Sequence, residues 1–148
     1  MLSFCTRSFH QLSTSELYEL LKLRSKVFVA EQHCVYQDVD GKDPLCLHVM
    51  GTWNEQLIAY ARLVPGGLSY KEPAIGRVLV HADFRALGYG KLLMQYSMEE
   101  TIKHFRASII VISAQRYLET FYRNLGFVTE GAVYPEDGIP HIKMRYGL

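Results

Sequence analysis

Hydrophobic and polar residues follow one another along this chain in patterns that predict helices and strands in a mixed order. Segment 13–32 begins with a capping-box pattern, Ser13 to Glu16, and continues with apolar residues at helical spacing, so we predict an amphipathic helix there. Arg24 falls on the apolar stripe of this helix, where we expect a buried stem and a guanidinium that reaches solvent in preference to a ligand contact. Residues 3–9 are predicted to form a strand before it.

The central part of the chain predicts a hairpin, a further strand and a second helix. Two strand-like runs, LCLHVMGTW and LIAYARLVP, flank residues 54–56, whose composition is typical of a turn. Another run, AIGRVLVHA, precedes a helix that we expect from about residue 88 to 104. The following run, SIIVIS, is rich in β-branched residues and indicates a strand that is buried on both faces.

The C-terminal part predicts one more helix and two short strands. The helix covers residues 115–125 and is closed by Gly126, while the strands lie near FVTEG and IPHIKMRY. The complete order is strand, helix, three strands, helix, strand, helix and two strands. We therefore predict an α/β or α+β fold with a mixed central sheet of about six to seven strands flanked by helices. A single domain over residues 1–148 is expected.

Composition and charge exclude several classes of protein. The chain has 148 residues, of which 49% are hydrophobic, and this is enough for a core without disulfides. Its 16 lysines and arginines against 15 acidic residues provide no basic field, so we expect no nucleic-acid partner. The apolar runs are too short to cross a membrane and the N-terminus lacks the pattern of an export signal, so we expect a cytoplasmic protein with free thiols and no membrane partner.

No metal site is expected from the sequence. The segment DVDGKD resembles a calcium loop only superficially, because placing Gly41 at the sixth position puts Tyr36 at the first ligand and Leu47 at the last. We expect the three aspartates of 38–43 to shape a turn or to attract a cationic amine. The nearby histidines and cysteines lack the paired spacing of a zinc site.

The stretch RVLVHADFRALGYGKLLMQY at 77–96 carries the most informative motif. Glycines at the start of a helix let the backbone approach an anion, which the free amides and the helix dipole stabilise. A P-loop is excluded because Arg85 replaces a required glycine and Leu92 replaces a serine or threonine. A dinucleotide fingerprint is excluded at Leu93, where glycine or alanine is needed. Another kind of phosphate loop, or only a tight turn, remains.

The motif Arg85-x-x-Gly88-x-Gly90 after RVLV resembles the pyrophosphate signature of the Gcn5-related N-acetyltransferase (GNAT) superfamily. The run ETFYRNLGF at 119–127 is similar to the helix that follows the fifth strand in that family. Five further stretches, LRSKVFVAEQ, YQDVDGKD, AYARLVP, IGRVLV and YPEDGIPHIKM, resemble its ElaA-like branch. The resemblance covers essentially the whole chain and implies a GNAT acyl-CoA N-acyltransferase fold.

The resemblance also implies a binding site for acetyl-CoA as cosubstrate. In this family the loop amides hold the pyrophosphate, and the preceding strand pairs with the pantetheine arm through main-chain hydrogen bonds. The matching residues of this chain are Val78, Leu79, Val80, Arg85, Ala86, Leu87, Gly88, Tyr89, Gly90 and Lys91.

The activity that the resemblance implies is acetyl transfer to a primary amine, of a small molecule or a protein, by direct attack in a ternary complex. Tyr122 matches the general acid of the family, and the backbone amide of Val78 is the nearest counterpart of the group that polarises the thioester carbonyl. The glutamate that many members carry on the fourth strand has no equivalent here. The base is therefore a water chain, Glu31, His33 or His141.

Two alternatives stay open. Tyr122 lies on a helical apolar stripe and could serve only in packing, and the chain could be a non-catalytic module that binds or senses acyl-CoA. Many relatives pair, so a homodimer is possible by resemblance. The sequence does not identify the amine.

Overall fold

The computed structural model describes residues 1–147 and contains one seven-stranded sheet with three α-helices. The strands are β1 (Ser3–Ser8), β2 (Leu47–Trp53), β3 (Gln56–Val64), β4 (Ala74–Val80), β5 (Ile109–Gln115), β6 (Val128–Glu136) and β7 (Ile139–Gly147). The helices are α1 (Thr14–Arg24), α2 (Tyr89–Phe105) and α3 (Glu119–Arg123). The predicted order of elements and the mixed sheet are confirmed.

The strands lie in the order β1-β2-β3-β4-β5-β7-β6, and β4 and β5 are the parallel pair. These two strands share one pair of register partners, Ala74 and Val111, at the beginning of β4. Beyond that pair the strands separate, so the sheet opens in its middle. The opening exposes a strand edge whose main-chain groups can bind an extended ligand.

A bulge lies in the part of β4 that faces this opening. Two residues, Arg77 and Val78, lie opposite the single residue Ala61 of β3. Arg77 has φ of 50°, a left-handed conformation that residues other than glycine adopt rarely. Because a bulge leaves its extra residue outside the ladder, the main chain of 77–78 is turned away from β3.

The predicted N-terminal helix begins as expected but consists of two parts. Ser13 Oγ accepts a hydrogen bond from the Glu16 amide at 3.0 Å, and the Ser13 amide donates to Glu16 Oε1 at 2.8 Å, which confirms the capping box. The α-helix ends at Arg24, and Ser25–Glu31 continue as a π-helix. No helix of residues 1–147 is long and apolar enough to cross a membrane.

The predicted helix at 115–125 is shorter in the structure. Residues up to Gln115 remain in β5 because they pair with β7, and Arg116–Leu118 form a 3₁₀ turn before α3. Gly126 has φ of 101°, and a Cβ there would lie 3.0 Å from the Tyr146 ring, so this position requires glycine.

The expectation that the Arg24 guanidinium reaches solvent is wrong, because the side chain is 0% exposed. Its Nε donates to Asp38 Oδ2 at 2.8 Å and its Nη1 to Asp43 Oδ1 at 2.7 Å. The three aspartates therefore bind arginines, which the sequence did not predict, and Asp40 also shapes a turn as expected, because its Oδ1 accepts a hydrogen bond from the Lys42 amide at 3.1 Å. We call this group the ionic cluster; it comprises Arg24, Arg62, Arg77, Asp38, Asp40 and Asp43.

The ionic cluster fixes segment 36–45 against α1 and the sheet. Arg62 pairs with Asp40 at 2.8 Å and with Asp43 at 3.0 Å, and Arg77 Nε lies 2.8 Å from Asp38 Oδ1. Burial alone would raise the pKa of Asp43, but hydrogen bonds and positive charge from the arginines outweigh it and lower that pKa. In residues 1–147 no three His, Cys, Asp or Glu side chains are grouped so that they could hold a metal ion.

Candidate active site

A cavity of about 910 Å³ occupies the opening between β4 and β5. One wall is β4, including Val78, Leu79 and Val80, and the opposite wall includes Ser113 of β5. Tyr122 of α3 and the β6–β7 hairpin line it as well. The predicted strand residues and the predicted acid are thus brought to one cavity.

A smaller cavity of about 280 Å³ lies beside it at the start of α2. Val80, Arg85 and Gly90 line both cavities, so the two are adjacent. All predicted cosubstrate residues except Leu87, whose side chain is exposed, line one or the other. Those that line only the smaller cavity are Ala86, Gly88, Tyr89 and Lys91.

The loop before α2 has a backbone shape that suits an anion. Ala86 and Gly88 both have positive φ, at 63° and 82°, with one residue between them. The amides of the first turn of α2 lack partners within the helix and lie at the positive end of its dipole. No atom lies within 4 Å of the position of a Cβ on Gly88, so a ligand can approach the backbone there. The loop therefore fits a diphosphate.

Arg85 and Glu31 bind each other rather than facing the cavity separately. Arg85 Nη2 donates to Glu31 Oε2 at 2.7 Å, and Arg85 Nε donates to the Val80 carbonyl at 2.9 Å. Arg85 thus joins the loop to the end of β4 and to the π-helix. Because its carboxylate is engaged in this charge-assisted bond, Glu31 is less available as a base than the sequence suggested.

A second link crosses the cavity opening beside the Arg85–Glu31 pair. Gln32 and Gln115 exchange two side-chain hydrogen bonds, at 3.1 Å and 3.3 Å. The chain at 31–32 is therefore tied to the ends of both diverging strands. His33 is exposed, has φ of 51°, and lines neither cavity.

Tyr122 is nearly buried and lies between two phenylalanines. Its ring is perpendicular to those of Phe121 and Phe127, with centroids 5.1 Å and 6.0 Å away. Burial raises the pKa of Tyr122, and neighbouring Tyr117 raises it further. The phenol therefore keeps its proton at neutral pH, as a proton donor must. Tyr122 therefore both packs in the core and lines the cavity.

His141 of β7 also lines the larger cavity, as its alternation with Ile142 suggested. Its Nδ1 lies 2.7 Å from the Ile139 carbonyl oxygen, which can only accept, so Nδ1 carries a hydrogen. Its Nε2 lies 3.3 Å from Glu136 Oε2. The residue thus combines a fixed ring with a carboxylate partner.

A polar group around Glu136 was not found from the sequence. Ser113 Oγ donates to Glu136 Oε1 at 3.1 Å and is hydrogen-bonded to the Tyr134 hydroxyl. Burial raises the pKa of Tyr70 to about 12, and Tyr134 and Glu136 nearby add to that effect. The signal that could have revealed Glu136 is its place beside the turn of the final hairpin, opposite the strand that carries His141.

An open strand edge, a helix start with free amides and a buried tyrosine, brought together at two adjacent cavities, agree with an acyl-CoA N-acyltransferase fold. A family model described as "Acetyltransferase (GNAT) domain" matches residues 11–148. The chain therefore belongs to the GNAT family.

Two named relatives place it in the ElaA-like branch of that family. A UPF0039 protein of Schizosaccharomyces pombe is 42% identical over 99% of this chain and 98% of its own length. Protein ElaA of Escherichia coli is 42% identical over 90% of this chain and 89% of its own length.

Solved structures agree with this assignment. The crystal structure of an acyl-CoA N-acyltransferase from Pseudomonas aeruginosa has a TM-score of 0.94 and 38% identity, with 99% of this chain and 100% of that chain covered. The crystal structure of Escherichia coli ElaA has a TM-score of 0.92, with 99% of each chain covered.

Proposed function

We propose that residues 1–148 form one domain that transfers an acetyl group from acetyl-CoA to a primary amine by direct attack in a ternary complex. The observation that carries this proposal is the junction of the β4–β5 cavity with the loop of positive φ at the start of α2. An extended amide-containing arm suits the strand edge, and a diphosphate suits the loop. Membership in the GNAT family supports the acyl-CoA part of the proposal.

In this proposal the cosubstrate is held mainly by main-chain groups. The edge of β4 at Val78, Leu79 and Val80 would bind the pantetheine arm, because β5 has left this edge without a strand partner. The amides of residues 85–91 would bind the pyrophosphate, and the Lys91 side chain would add positive charge. Arg85 would act mainly by fixing the loop through its bonds to Val80 and Glu31.

Acetyl-CoA supplies an activated thioester, and the chain's own groups would supply polarisation and proton transfer. The amide of Val78, turned away from β3 by the bulge, would donate a hydrogen bond to the carbonyl oxygen. Tyr122 would give its proton to the departing thiolate. His141 would take the proton of the incoming ammonium, so that a neutral amine attacks; Glu31 is the second candidate for this role.

A second candidate function is a non-catalytic module that binds or senses acyl-CoA. Two observations favour it: β4 carries no carboxylate at 75–77, and Glu31 is engaged by Arg85. Such a module would use the same cavity and the same loop.

The two functions differ in amine-dependent release of CoA thiol. Wild type with acetyl-CoA and a panel of primary amines should release thiol, and Tyr122→Phe should lower the rate by about 10-fold to 10⁴-fold while acetyl-CoA binding stays unchanged. Tyr18→Phe, at an exposed tyrosine of α1, is the matched control and should keep the wild-type rate. Saturable acetyl-CoA binding without thiol release for any amine would support the binding module instead.

A further inference from the structure

Glu136 and His141 face each other across the β6–β7 hairpin with two hydrogen-bond acceptors. Because His141 Nδ1 donates to the Ile139 carbonyl, Nε2 of the neutral ring carries a lone pair. That nitrogen lies 3.3 Å from Glu136 Oε2, which is also an acceptor when ionised. Two acceptors at this distance are favourable neighbours only when a proton lies between them. The pair is therefore built to receive one proton.

Neighbouring side chains hold both members in place. Ser113 of β5 donates to the other carboxylate oxygen of Glu136 at 3.1 Å. The Tyr134 ring stacks on the His141 ring, with centroids 6.3 Å apart and 26° between the planes. Two titratable groups are next to the pair: Tyr134 of β6 and Tyr70 of the loop before β4, whose pKa is raised by burial and also by Glu136. Asp137 follows Glu136 in the chain and lines the same cavity, and Lys143 lies two residues beyond His141 on β7.

The pair also connects the cavity with solvent. Both residues line the larger cavity, where the amine would approach the thioester. The His141 ring is almost fully buried, whereas the Glu136 side chain is 46% exposed. A proton that reaches the ring from the cavity can therefore leave through the carboxylate. The carboxylate of Glu31 differs in that its Oε2 accepts a hydrogen bond from Arg85 at 2.7 Å.

We propose that Glu136 is a positioning residue that makes His141 the proton acceptor for a cationic primary amine. This inference rests on the acetyl transfer proposed above. One N–H bond of the ammonium breaks, its proton passes to His141 Nε2, and the electron pair stays on the amine nitrogen. That nitrogen then forms the C–N bond with the thioester carbon as the C–S bond breaks, Tyr122 gives its proton to the departing thiolate, and the second proton lost by the nitrogen returns to Tyr122. The carboxylate of Glu136, 3.3 Å from Nε2, stabilises the imidazolium by its negative charge. The negative carboxylate at the cavity mouth also attracts the ammonium form of the acceptor.

Substitution of Glu136 by glutamine removes the negative charge of the side chain but keeps its size and shape. The amide N–H of Glu136→Gln can donate to the Nε2 lone pair, so the ring keeps a partner but loses the charge that favours its second proton. Glu130→Gln is the matched control, since Glu130 lies on the same strand, binds Arg145 and Lys143, and lines neither cavity.

The first measurement uses the free protein and needs no acceptor. In NMR spectra of protein with ¹⁵N-labelled histidine, we expect the neutral His141 ring to carry its hydrogen on Nδ1. The ring should take up its second proton at a lower pH in Glu136→Gln than in wild type or Glu130→Gln. A neutral ring with its hydrogen on Nε2, or a titration that Glu136→Gln does not change, would overturn the proposal.

The second measurement is the pH profile of transfer from acetyl-CoA to the amines that wild type uses. Glu136→Gln should lower kcat/KM by about 10-fold to 100-fold and move the acid limb to lower pH, with acetyl-CoA affinity unchanged. Glu130→Gln should match wild type. Active wild type with an unaffected Glu136→Gln would refute this inference and leave the proposed function intact. Absence of transfer by wild type would refute both.

Discussion

Replacing Arg24 with methionine tests whether the ionic cluster holds segment 36–45 in place. Methionine keeps most of the length and apolar stem of arginine but removes the guanidinium. Arg24 is completely buried, and its hydrogen bonds reach Asp38 at 2.8 Å and Asp43 at 2.7 Å. The substitution therefore leaves the cluster with two arginines against three aspartates, and one negative charge of the buried group is no longer compensated.

The expected loss in the free energy of unfolding depends on the arginine partners that Asp38 and Asp43 keep in this variant. Removing one partner of a buried ion pair costs about 3–5 kcal/mol. Asp43 keeps Arg62 at 3.0 Å, and Asp38 keeps Arg77 Nε at 2.8 Å, so the loss should lie near the lower end, at about 3 kcal/mol.

Urea unfolding followed by Trp53 fluorescence and by far-ultraviolet circular dichroism gives the free energy of unfolding. The control is Arg123→Met, because Arg123 is 56% exposed and pairs with Glu119 one helical turn away. It should cost only about 0.3–0.5 kcal/mol. Adding Asp38→Asn to Arg24→Met should recover part of the lost stability. If Arg24→Met lies within about 1 kcal/mol of wild type, the cluster does not carry the energy assigned to it.

Three further predictions concern buried titratable groups. Burial lowers the pKa of His48 from 6.5, so below about pH 6.5 the unfolded chain binds a proton that the folded chain does not, and stability should fall. The arginine partners of Asp43 lower its pKa in the folded state, so a second loss of folding stability should begin as the pH falls near the ordinary pKa of 3.8. Both losses can be measured as a fall in the midpoint of urea unfolding. A midpoint that stays constant from pH 7 to below pH 4 would contradict both predictions. Burial raises the pKa of the Cys46 thiol to about 11, and the residue is only 2% exposed. An alkylating reagent should therefore label the half-buried Cys5 before Cys46, which peptide mass spectrometry can measure. Equal labelling of the two cysteines would contradict this prediction.

Elements with local signals could be predicted from the sequence. The capping box of Ser13 and Glu16 joins residues three positions apart. The hairpin turn at 54–55 has two consecutive residues with positive φ, as a tight turn between paired strands requires. Such features depend on neighbours along the chain, so composition and spacing reveal them.

Features that depend on distant contacts could not be predicted in the same way. Arg24 meets its carboxylates 14 and 19 positions further along the chain, so its apolar-face position suggested a side chain reaching solvent. The end of β5 at Gln115 is decided by pairing with β7, which overrides the helical pattern that begins there. The bulge at Arg77 depends on the register between two strands, which spacing does not reveal.

The candidate site also contains both kinds of feature, those with a local signal in the sequence and those that depend on distant contacts. The loop at 85–91 is continuous in sequence, so its glycines and its resemblance to the family motif could be read as the proposed cosubstrate site before the fold was known. The Glu136–His141 pair exists only because the final hairpin folds with a particular register. The hydrogen bond between Arg85 and Glu31 likewise joins residues 54 positions apart, so the sequence did not show that this carboxylate has an arginine partner.

We propose above that the loop at the start of α2 binds the pyrophosphate of acetyl-CoA. Calorimetric titration of wild type, Gly88→Val and Gly131→Val with acetyl-CoA tests it. Both glycines have positive φ, 82° and 81°, and open space at the Cβ position, so valine adds comparable backbone strain of about 1–2 kcal/mol at each. Only Gly88 lies at the loop.

We expect saturable binding of acetyl-CoA to wild type and Gly131→Val with equal affinity. Gly88→Val should bind at least about 10-fold more weakly, because its side chain occupies the approach of the diphosphate to the amides. No saturable binding by folded wild type, or equal binding by Gly88→Val, would contradict the account.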